Sequence, residues 1–335
     1  MTEKIVLDID GAGDDILAVL FAVGHPGIDL LGVTACHGAA GAVEQVTKVA
    51  LNALTTAGRE DIPVAMGAWR PILGNSKEDT EAPVHIEKRL QALLGDRIKG
   101  FNPPAKEPTR SAIDRHAVDF IIDSIKAHPG EVSVVATGPQ TNVAMALRMA
   151  PEIAQMAKRF VVLGGCFVTP GNITPVSEYN IWADPEAARV VLRSGAPVTL
   201  VPLDVCEDNR VAPSMLTRDD LEDLAHMAPD SAAVTWVRET FPVYIDIWRN
   251  LFKLVGFPLD DAIAVATVVH PEMFDLAPPC LVDVALSERL VRGQTVAHRG
   301  VQILNFDGPR TTSVARDIDG RAFMAAFKSA LVRLG

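Results

Sequence analysis

Residues 5–22 read IVLDIDGAGDDILAVLFA, and this stretch decides the fold because a strand pattern changes into a helix pattern within a few residues. Residues 5–7 form a short β-branched apolar run, which predicts a buried strand. Residues 16–22 are apolar throughout and predict a helix. Two glycines and four aspartates separate the two elements. Such a strand-to-helix turn is typical of α/β proteins.

Four carboxylates stand close together in this turn: Asp8, Asp10, Asp14 and Asp15. Like charges this close repel and raise each other's pKa unless a cation or a bound proton compensates. A hard divalent metal, which takes oxygen ligands from aspartate, is the simplest compensation. The turn therefore predicts a metal-centred site, although Asp15 alone reads equally well as a helix cap and Asp8 alone as a solvated strand end.

The composition is that of a globular protein with ample material for a core, with 335 residues and 48% hydrophobic residues. The net charge of −11 argues against nucleic acid or an anionic membrane as partner. No apolar run reaches the roughly 18 residues that a bilayer span needs, and the short run before Asp8 argues against a signal peptide. Four widely spaced cysteines indicate reduced thiols rather than disulfides or zinc. We expect a cytoplasmic protein.

Strand-like and helix-like runs alternate along the chain without a visible linker. The predicted strands are 5–7, 30–35, 131–136, 159–163, 197–203, 280–284 and 311–315. The predicted helices are 16–22, 44–57, 117–127, 142–149, 185–192, 213–225, 231–254, 262–269 and a last one from 321. Residues 67–108 are polar and irregular and predict a long loop or flap, with a helix over 85–94. This order predicts a single α/β domain over 1–335, with a largely parallel, Rossmann-like central sheet flanked by helices.

Further polar blocks follow predicted strands, where α/β proteins bind their ligands. They are VATGPQTN at 135–142, GG at 164–165, GNITPVSEYN at 171–180, ADPEAA at 183–188, PLDV at 202–205 and DD at 260–261. Together with the D-x-D-x-x-x-D-D pattern at 8–15, these blocks resemble in order and position the nucleoside hydrolases, the inosine-uridine-preferring N-ribohydrolases and their relatives. The matching blocks extend from residue 5 to about residue 270.

The resemblance implies calcium-dependent hydrolysis of the N-glycosidic bond of ribonucleosides, giving free base and ribose. It implies that Asp10, Asp15, Asp261 and the carbonyl oxygen of Thr137 bind Ca²⁺, an all-oxygen set. Asp10 would also take a proton from the attacking water, and Asp8 would support the cluster from behind. The implied partner is a small nucleoside, and family members are commonly homodimers or homotetramers.

The resemblance also assigns the sugar contacts. Asp14, Asn172, Glu178 and Asn180 would hold the ribose hydroxyls, and such contacts can strengthen as positive charge grows on the sugar. From the residues alone, Asn172 reads equally well as a turn residue after a glycine, and Asn180 as a loop amide.

The chain departs from the family pattern where the base would leave. Asp260 stands where relatives often carry a histidine that helps the base depart, and it is a candidate acid only if its pKa is raised. Ala39 stands where many members have an asparagine. Trp248 and Tyr244 lie one helical turn apart and either stack on the base or belong to the core. His85 is either a base contact or a surface histidine.

Two other functions stay open. The changes at Ala39 and Asp260 fit a family member that binds nucleosides with little or no hydrolysis. Asp8-x-Asp10-Gly11 also resembles the nucleophile motif of haloacid-dehalogenase-like phosphatases, although Ala12 replaces their usual threonine and residues 171–180 stay unexplained. The base itself is open among purines, pyrimidines and other ribosides such as nicotinamide riboside.

Overall fold

Ten strands run through the described part of the chain, which in this computed structural model comprises residues 2–39, 41–73, 91–92, 95, 107–287, 289–300 and 306–335. They are β1 (Glu3–Ile9), β2 (Ile28–Ala35), β3 (Val64–Met66), β4 (Val132–Ala136), β5 (Arg159–Leu163), β6 (Val198–Val201), β7 (Phe274–Leu276), β8 (Val282–Val284), β9 (Thr295–Ala297) and β10 (Thr312–Ile318).

The α-helices of the same residues alternate with these strands. They are α1 (Gly13–Gly24), α2 (Val43–Thr56), α3 (Ala117–Ala127), α4 (Thr141–Met149), α5 (Ile153–Met156), α6 (Tyr179–Ala183), α7 (Pro185–Leu192), α8 (Arg218–Met227), α9 (Ala232–Ile247), α10 (Asp260–Val269) and α11 (Gly320–Val332). Short 3₁₀ turns occupy Leu203–Val205, Asn209–Ser214 and Pro271–Met273, and a π-helical turn occupies Trp248–Phe252.

Eight of the strands form one sheet in the order β3-β2-β1-β4-β5-β6-β10-β7. All neighbouring pairs are parallel except β10 and β7, which pair antiparallel at one edge. On one side of β1 the sheet continues with β2 and β3. On the other side it continues with β4, β5, β6, β10 and β7. The strand order therefore reverses between β1 and β4, which makes their carboxyl ends the place where a ligand is expected.

Apolar side chains cover both faces of this sheet. Along β1, Ile5, Leu7 and Ile9 lie in one buried cluster and Val6 in the other, as the two-residue period of a strand requires. The first cluster packs against α1, α2, α9, α10 and α11, and the second against α3, α4, α5 and α7. The predicted single α/β domain with a mostly parallel central sheet is confirmed.

Several predicted boundaries are wrong. The predicted helix 213–225 is a 3₁₀ turn followed by α8, because Thr217 and Asp220 form a capping box that starts a new helix. The predicted helix 231–254 leaves α-geometry after Ile247, and Lys253 ends the following turn in the left-handed region, at φ 61°. The sequence patterns also missed β3, β7 and β9, which are three residues long each.

No helix in the described ranges is both long and apolar enough to cross a membrane. Most of the predicted flap lies outside the described residues. His85 lies outside them as well, and its assignment stays a prediction.

Candidate active site

The acidic turn lies at the carboxyl edge of the sheet, between its two central strands. β1 ends at Ile9 and β4 at Ala136, so Asp10 and Thr137 follow two neighbouring strand ends. The Thr137 backbone N–H donates to the Asp8 carbonyl at 2.8 Å, which extends the pairing past the end of β4. The predicted metal residues that follow β1 and β4 are thus brought together at the switch point, the place where the strand order reverses.

Asp15 organises the turn through its hydrogen bonds. Its Oδ2 accepts the backbone N–H groups of Asp10, Gly11 and Ala12, at 3.1, 2.7 and 3.0 Å. Its Oδ1 accepts the Thr137 hydroxyl at 2.7 Å. Burial raises the pKa of Asp15, although these hydrogen bonds oppose the shift. The helix-cap interpretation therefore describes one part of what Asp15 does, since the same carboxyl also links β1 to β4.

Asp10 is held in a pocket whose walls are glycines. A Cβ on Gly38 would lie 2.2 Å from the Asp10 Oδ2, and one on Gly138 would lie 2.6 Å from the Asp10 Cβ. The backbone N–H of Ala39 donates to that Oδ2 at 3.0 Å. Ala39 thus contributes to the site through its backbone, whatever side chain relatives carry there. The close packing fixes the direction of the Asp10 carboxyl.

Burial raises the pKa of every carboxyl in the cluster, and repulsion by neighbouring carboxylates adds to this shift for all of them except Asp15. For Asp10 and Asp261 the pKa lies well above its ordinary value, first because of burial and then because of neighbouring carboxylates. For Asp14 the same causes raise the pKa to about 8. Asp261, in the first turn of α10, hydrogen-bonds to both Asp14 and Asp15. Such a cluster carries its full negative charge only beside a cation.

Asp8 lies behind the cluster and is completely buried. Its Oδ1 accepts the Thr34 hydroxyl at 2.5 Å and the Asn142 amide at 2.8 Å, whereas its Oδ2 has no partner among the described residues. Burial raises the pKa of Asp8 to about 7. This position suits a supporting residue, and it is not that of a solvated strand end.

Glu178 is the N-cap of α6 and is almost fully buried. Its two oxygens accept the backbone N–H groups of Asn180, Ile181 and Gly165, at 2.7, 3.0 and 3.1 Å. Burial raises the pKa of Glu178 to about 7, and the three hydrogen bonds oppose the shift. The carboxyl is thus fixed by the backbone, and the lone pairs that those bonds leave free are available to a ligand.

The two asparagines of the 171–180 block connect this block to its surroundings. The Asn180 amide donates to the Thr137 carbonyl at 2.7 Å, the same oxygen that was predicted to bind the metal. The Asn172 Oδ1 accepts the Tyr179 backbone N–H at 2.9 Å, and its amide donates to Glu207 at 3.4 Å. Both residues therefore lie at the site, and Asn180 also orients a predicted metal ligand.

The residues predicted to lie near the base belong to α10 and to the end of α9 with the π-helical turn that follows it. Asp260 is 7% exposed, and its Oδ1 has no hydrogen-bond partner within the part of the chain that the structure describes. Burial, followed by the charge of Glu207, raises the pKa of Asp260 well above its ordinary value, which is the condition for an acid. Trp248 is half-buried, with its ring centroid 6.4 Å from that of Tyr244. Tyr244 is buried and lies against Gly13, where no Cβ would fit.

Three residues at the site were given no role from the sequence, although Asn142 and Asp204 lie in blocks that the sequence analysis singled out. Asn142 joins Asp8 to the backbone N–H of Ala68. Asp204 accepts the backbone N–H groups of Phe167 and Val168 at 2.8 and 2.6 Å, and so orders the loop that leads to the 171–180 block. Glu207 contacts Asn172 and Asp260. Asp204 and Glu207 follow the end of β6, so the strand-end rule that found Asp10 pointed to them as well.

The donor set is suited to a hard cation. Asp10, Asp15 and Asp261 offer only oxygen donors and are in hydrogen-bond contact through Asp15, and the Thr137 carbonyl lies beside them. Among the described residues, no three His, Cys, Asp or Glu side chains are already spaced as a complete metal site. The chemistry of the donors therefore fits a divalent metal, and the carboxyls that now hydrogen-bond to one another would have to turn toward it.

Comparisons with known proteins agree with this geometry. The sequence profile described as inosine-uridine preferring nucleoside hydrolase matches residues 5–325. The pyrimidine-specific ribonucleoside hydrolase RihB of Escherichia coli is 37% identical over 282 residues, 80% of this chain and 79% of that protein. A probable uridine nucleosidase 2 of Arabidopsis thaliana is 32% identical over 272 residues, 81% of this chain and 79% of that protein.

A solved structure of a ribonucleoside hydrolase also matches this chain. The purine-preferring ribonucleoside hydrolase from Gardnerella vaginalis matches with a TM-score of 0.85 and 31% identity, covering 99% of both chains. These relatives differ in the bases that they prefer, and none supports the phosphatase interpretation. This chain therefore belongs to the inosine-uridine preferring nucleoside hydrolase family.

Proposed function

We propose that this chain hydrolyses the N-glycosidic bond of ribonucleosides with the help of bound Ca²⁺, releasing free base and ribose. The observation that carries the proposal is the contact of three buried carboxyls, those of Asp10, Asp15 and Asp261, at the switch point of the sheet. These residues and the Thr137 carbonyl would hold the metal. When bound, the cation supplies charge compensation and makes a water molecule easier to deprotonate.

Asp10 is the residue best placed to accept a proton from the attacking water. Its carboxyl is fixed by the Ala39 N–H and by the two glycine walls, so its direction is set before substrate binds. The water oxygen forms a bond to the ribose C1′, one water proton goes to Asp10, and the C1′–N bond breaks. The electron pair of that bond leaves with the base.

Asp14, Asn172, Glu178 and Asn180 would hold the sugar. The breaking bond leaves positive charge on the ribose ring, as in other glycoside hydrolyses. Glu178 is buried and fixed by three backbone N–H groups, so its negative charge acts on the ring with little screening. The interaction grows as the charge develops, which is what accelerates the reaction.

A panel of nucleosides tests the function directly. We expect ribose release from at least one nucleoside, and its loss with EDTA. Asp10→Asn keeps the shape of the side chain and should lower kcat by roughly 10²- to 10⁴-fold, the range of general-base contributions. Asp275→Asn, which changes an exposed carboxyl paired with Arg316, is the matched control and should be silent.

The same nucleoside panel distinguishes the hydrolase from the remaining alternative, a protein that only binds nucleosides. Asp260 in place of a histidine favours a protein that binds nucleosides with little hydrolysis. Saturable nucleoside binding without ribose release would establish that function and contradict the hydrolase. We further expect a homodimer or homotetramer, to be checked by light scattering, and a cytoplasmic location.

A further inference from the structure

The strands β8 and β9 form a two-stranded antiparallel sheet of their own, apart from the eight-stranded sheet. We call these strands and the described residues between them the β8–β9 hairpin. Two short strands are at best marginally stable by themselves, so contacts with the rest of the chain have to hold the hairpin. One set of contacts lies on α7, where Arg189 and Arg193 pair with Asp283 of β8 at 2.8 Å each. A second set leads to the predicted sugar residues, and the proposed hydrolysis does not use it.

The two glycines that follow β5 contact Glu178 with one residue and the hairpin with the other. A Cβ on Gly164 would lie 3.0 Å from the Glu178 Oε2, and one on Gly165 would lie 2.8 Å from the Thr295 Cγ2. Gly165 lies at φ +80°, in the left-handed region that favours glycine. The glycines therefore allow the Glu178 carboxyl and the Thr295 side chain to pack against the same short backbone segment.

Thr295 holds this segment with its hydroxyl group. The hydroxyl donates to the Cys166 carbonyl at 3.0 Å and accepts the Cys166 backbone N–H at 3.2 Å. Thr295 is 4% exposed, so water competes little for these bonds. The preceding backbone N–H, that of Gly165, donates to the Glu178 Oε2 at 3.1 Å. Thr295 thus fixes the backbone one residue beyond a donor to the Glu178 carboxyl.

A second contact of the hairpin reaches the residue before Glu178. The Ser177 hydroxyl donates to the Arg292 carbonyl at 2.7 Å. The Arg292 guanidinium binds both carboxyl oxygens of Glu186 at 2.8 Å, a bidentate contact that fixes Arg292 relative to α7. The hairpin therefore reaches Glu178 by two routes, one through a backbone donor and one through the preceding residue.

These two routes end on the two segments that together fix the carboxyl. Glu178 accepts one backbone N–H from the loop after β5 and two from the first turn of α6. Thr295 contacts that loop, and Arg292 contacts the residue before the cap of α6. A shift of about 1 Å in a group that acts in the transition state can lower the rate roughly 10²-fold. A smaller movement of either segment is therefore enough for a measurable loss.

We propose that the β8–β9 hairpin is a clamp that sets the position of the Glu178 carboxyl, and that Thr295 is a positioning residue for the reaction. This inference rests on the proposed hydrolase function, in which Glu178 contacts the sugar. Thr295 acts through the backbone of residues 165–166 and through Glu178, and Arg292 closes the clamp at Ser177.

Steady-state kinetics with the best nucleoside of the panel test the clamp. Thr295→Val keeps the shape of the side chain, removes the hydroxyl and leaves two buried groups of Cys166 without this partner. We expect kcat/KM to fall roughly tenfold, mostly in kcat, because the sugar contact strengthens in the transition state. Thr295→Ser keeps the hydroxyl and should stay within about threefold of the native enzyme. Thr47→Val, which removes a buried hydroxyl of α2 that donates to the Val43 carbonyl, should leave kcat/KM unchanged.

A double-mutant cycle shows whether Thr295 acts through Glu178. In a Glu178→Ala background, Thr295→Val should lower kcat/KM by less than about twofold, because the group that it positions is gone. An equal loss in both backgrounds would overturn the inference, and so would an unchanged kcat/KM for Thr295→Val. If Thr295→Val does not fold, Arg292→Lys takes its place. It loses the bidentate contact and should lower kcat/KM at least roughly threefold, again only where Glu178 is present.

Hydrogen exchange measures the clamp without turnover. Peptides that contain residues 165–166 and 180–181 report on the donors to Glu178, and the β4 strand in the centre of the sheet reports on global unfolding. Relative to β4, these amides should exchange at least roughly threefold faster in Thr295→Val, and at the native rate in Thr295→Ser and Thr47→Val. Unchanged exchange in Thr295→Val would contradict the clamp. If the native enzyme releases ribose from no nucleoside, the proposed function fails, and the exchange experiment still decides whether the clamp exists.

Discussion

Glu178 shows that one side chain serves both folding and the site. It caps α6 through the backbone N–H groups of Asn180 and Ile181, accepts a third backbone N–H from Gly165, and is almost completely buried. The sequence reasoning read it as a sugar contact, and the structure adds that its position is fixed before any sugar binds. A charge that is already fixed does not have to reorient during the reaction. Preorganised sites owe most of their rate enhancement to this.

Replacing Glu178 by alanine should separate its two roles. We expect kcat/KM to fall more than roughly tenfold, with most of the loss in kcat, because the contact strengthens in the transition state. The lost cap should cost about 1 kcal/mol of unfolding free energy. Thr217→Ala removes the cap of α8, far along the chain, and serves as the control. It should cost a similar free energy and leave kcat unchanged; an unchanged kcat/KM for Glu178→Ala would contradict the sugar assignment.

Gly138→Ala tests whether the glycine wall fixes Asp10. The new Cβ would lie 2.6 Å from the Asp10 Cβ, so one of the two has to move. A shift of about 1 Å in a reacting group can lower the rate roughly 10²-fold, and we expect a loss of that order in kcat. Gly130→Ala is the control, since a Cβ added to Gly130 would meet no atom of the described residues within 4 Å, and the residue lies at φ +78°. That change should lower the melting temperature and leave kcat unaffected.

At the scale of elements, loops at strand ends are held by buried carboxylates. Asp15 ties β1 to β4, Asp204 orders residues 167–169, and Asp184 links three parts of the chain. Asp184 accepts the Ala187 backbone N–H as the cap of α7. Its other oxygen accepts the Thr141 hydroxyl at 2.7 Å and the Ile72 backbone N–H at 2.9 Å. Hydrogen bonds to carboxylates are stronger than neutral ones, so these few contacts place long loops.

Asp184→Ala should therefore destabilise the protein more than the loss of an ordinary cap does. We expect a loss of roughly 2–4 kcal/mol in urea unfolding, because a cap is lost and the Thr141 hydroxyl and the Ile72 N–H lose their partner. Asp319→Ala removes the exposed cap of α11 and should cost only about 1 kcal/mol. Equal losses in the two variants would show that the bonds to Thr141 and Ile72 contribute nothing to stability.

At the scale of the whole molecule, two histidines join the ends of α1 and α10 far from the acidic turn. The His25 Nδ1 accepts the Gly27 backbone N–H at 3.1 Å, so its Nε2 carries the hydrogen that bonds to the His270 Nε2 at 3.0 Å. The His270 Nδ1 then donates to Glu272 at 3.0 Å. This chain of hydrogen bonds requires a neutral His25, and burial lowers the pKa of His25 below its ordinary value of 6.5.

His25 should therefore contribute a loss of stability as the pH falls below that ordinary value. The unfolded chain binds the His25 proton more readily than the folded one, so the stabilisation is complete above the unfolded pKa and is lost as the pH falls through the folded pKa. This contribution is opposite in sign to that of the buried carboxyls, whose raised pKa values favour the folded state at low pH.

Urea unfolding at about pH 7.5 and about pH 5.5 measures the difference. In His25→Asn the unfolding free energy at the lower pH, relative to its own value at the higher pH, should be greater than in the native protein, because the unfavourable contribution of His25 is gone. His226→Asn, on exposed α8, should show the native pH dependence. An unchanged pH dependence in His25→Asn would contradict this.

Calcium should stabilise the whole fold, because the carboxyl cluster repels itself without a cation. At about 100 times the dissociation constant, a ligand that binds only the folded state adds about 2.7 kcal/mol to the unfolding free energy. We expect the melting temperature to rise with Ca²⁺, to fall with EDTA, and to respond much less in Asp15→Asn. If Ca²⁺ leaves the melting temperature unchanged, the proposed metal site is absent.

The fold was largely readable from the sequence because its elements have strong local patterns. Buried parallel strands give apolar β-branched runs, and the strand-to-helix alternation leads to a parallel sheet. Boundaries were less readable where nonlocal contacts decide them. The end of α9 follows from the packing of Trp248 against Phe257 and Phe252, and three-residue strands exist only because a neighbouring strand pairs with them.

The sequence by itself determined the family, the central strand and the carboxylates that meet at its end, because these depend on residue types at short spacings. Only the tertiary structure decided what stands next to them. It brought Glu207 from the end of β6 beside Asp260 at the start of α10, directed the Asn180 amide to the Thr137 carbonyl, and enclosed Asp10 between Gly38 and Gly138. These contacts join residues that are far apart in the chain, and their burial sets the charges and pKa values on which binding and catalysis depend.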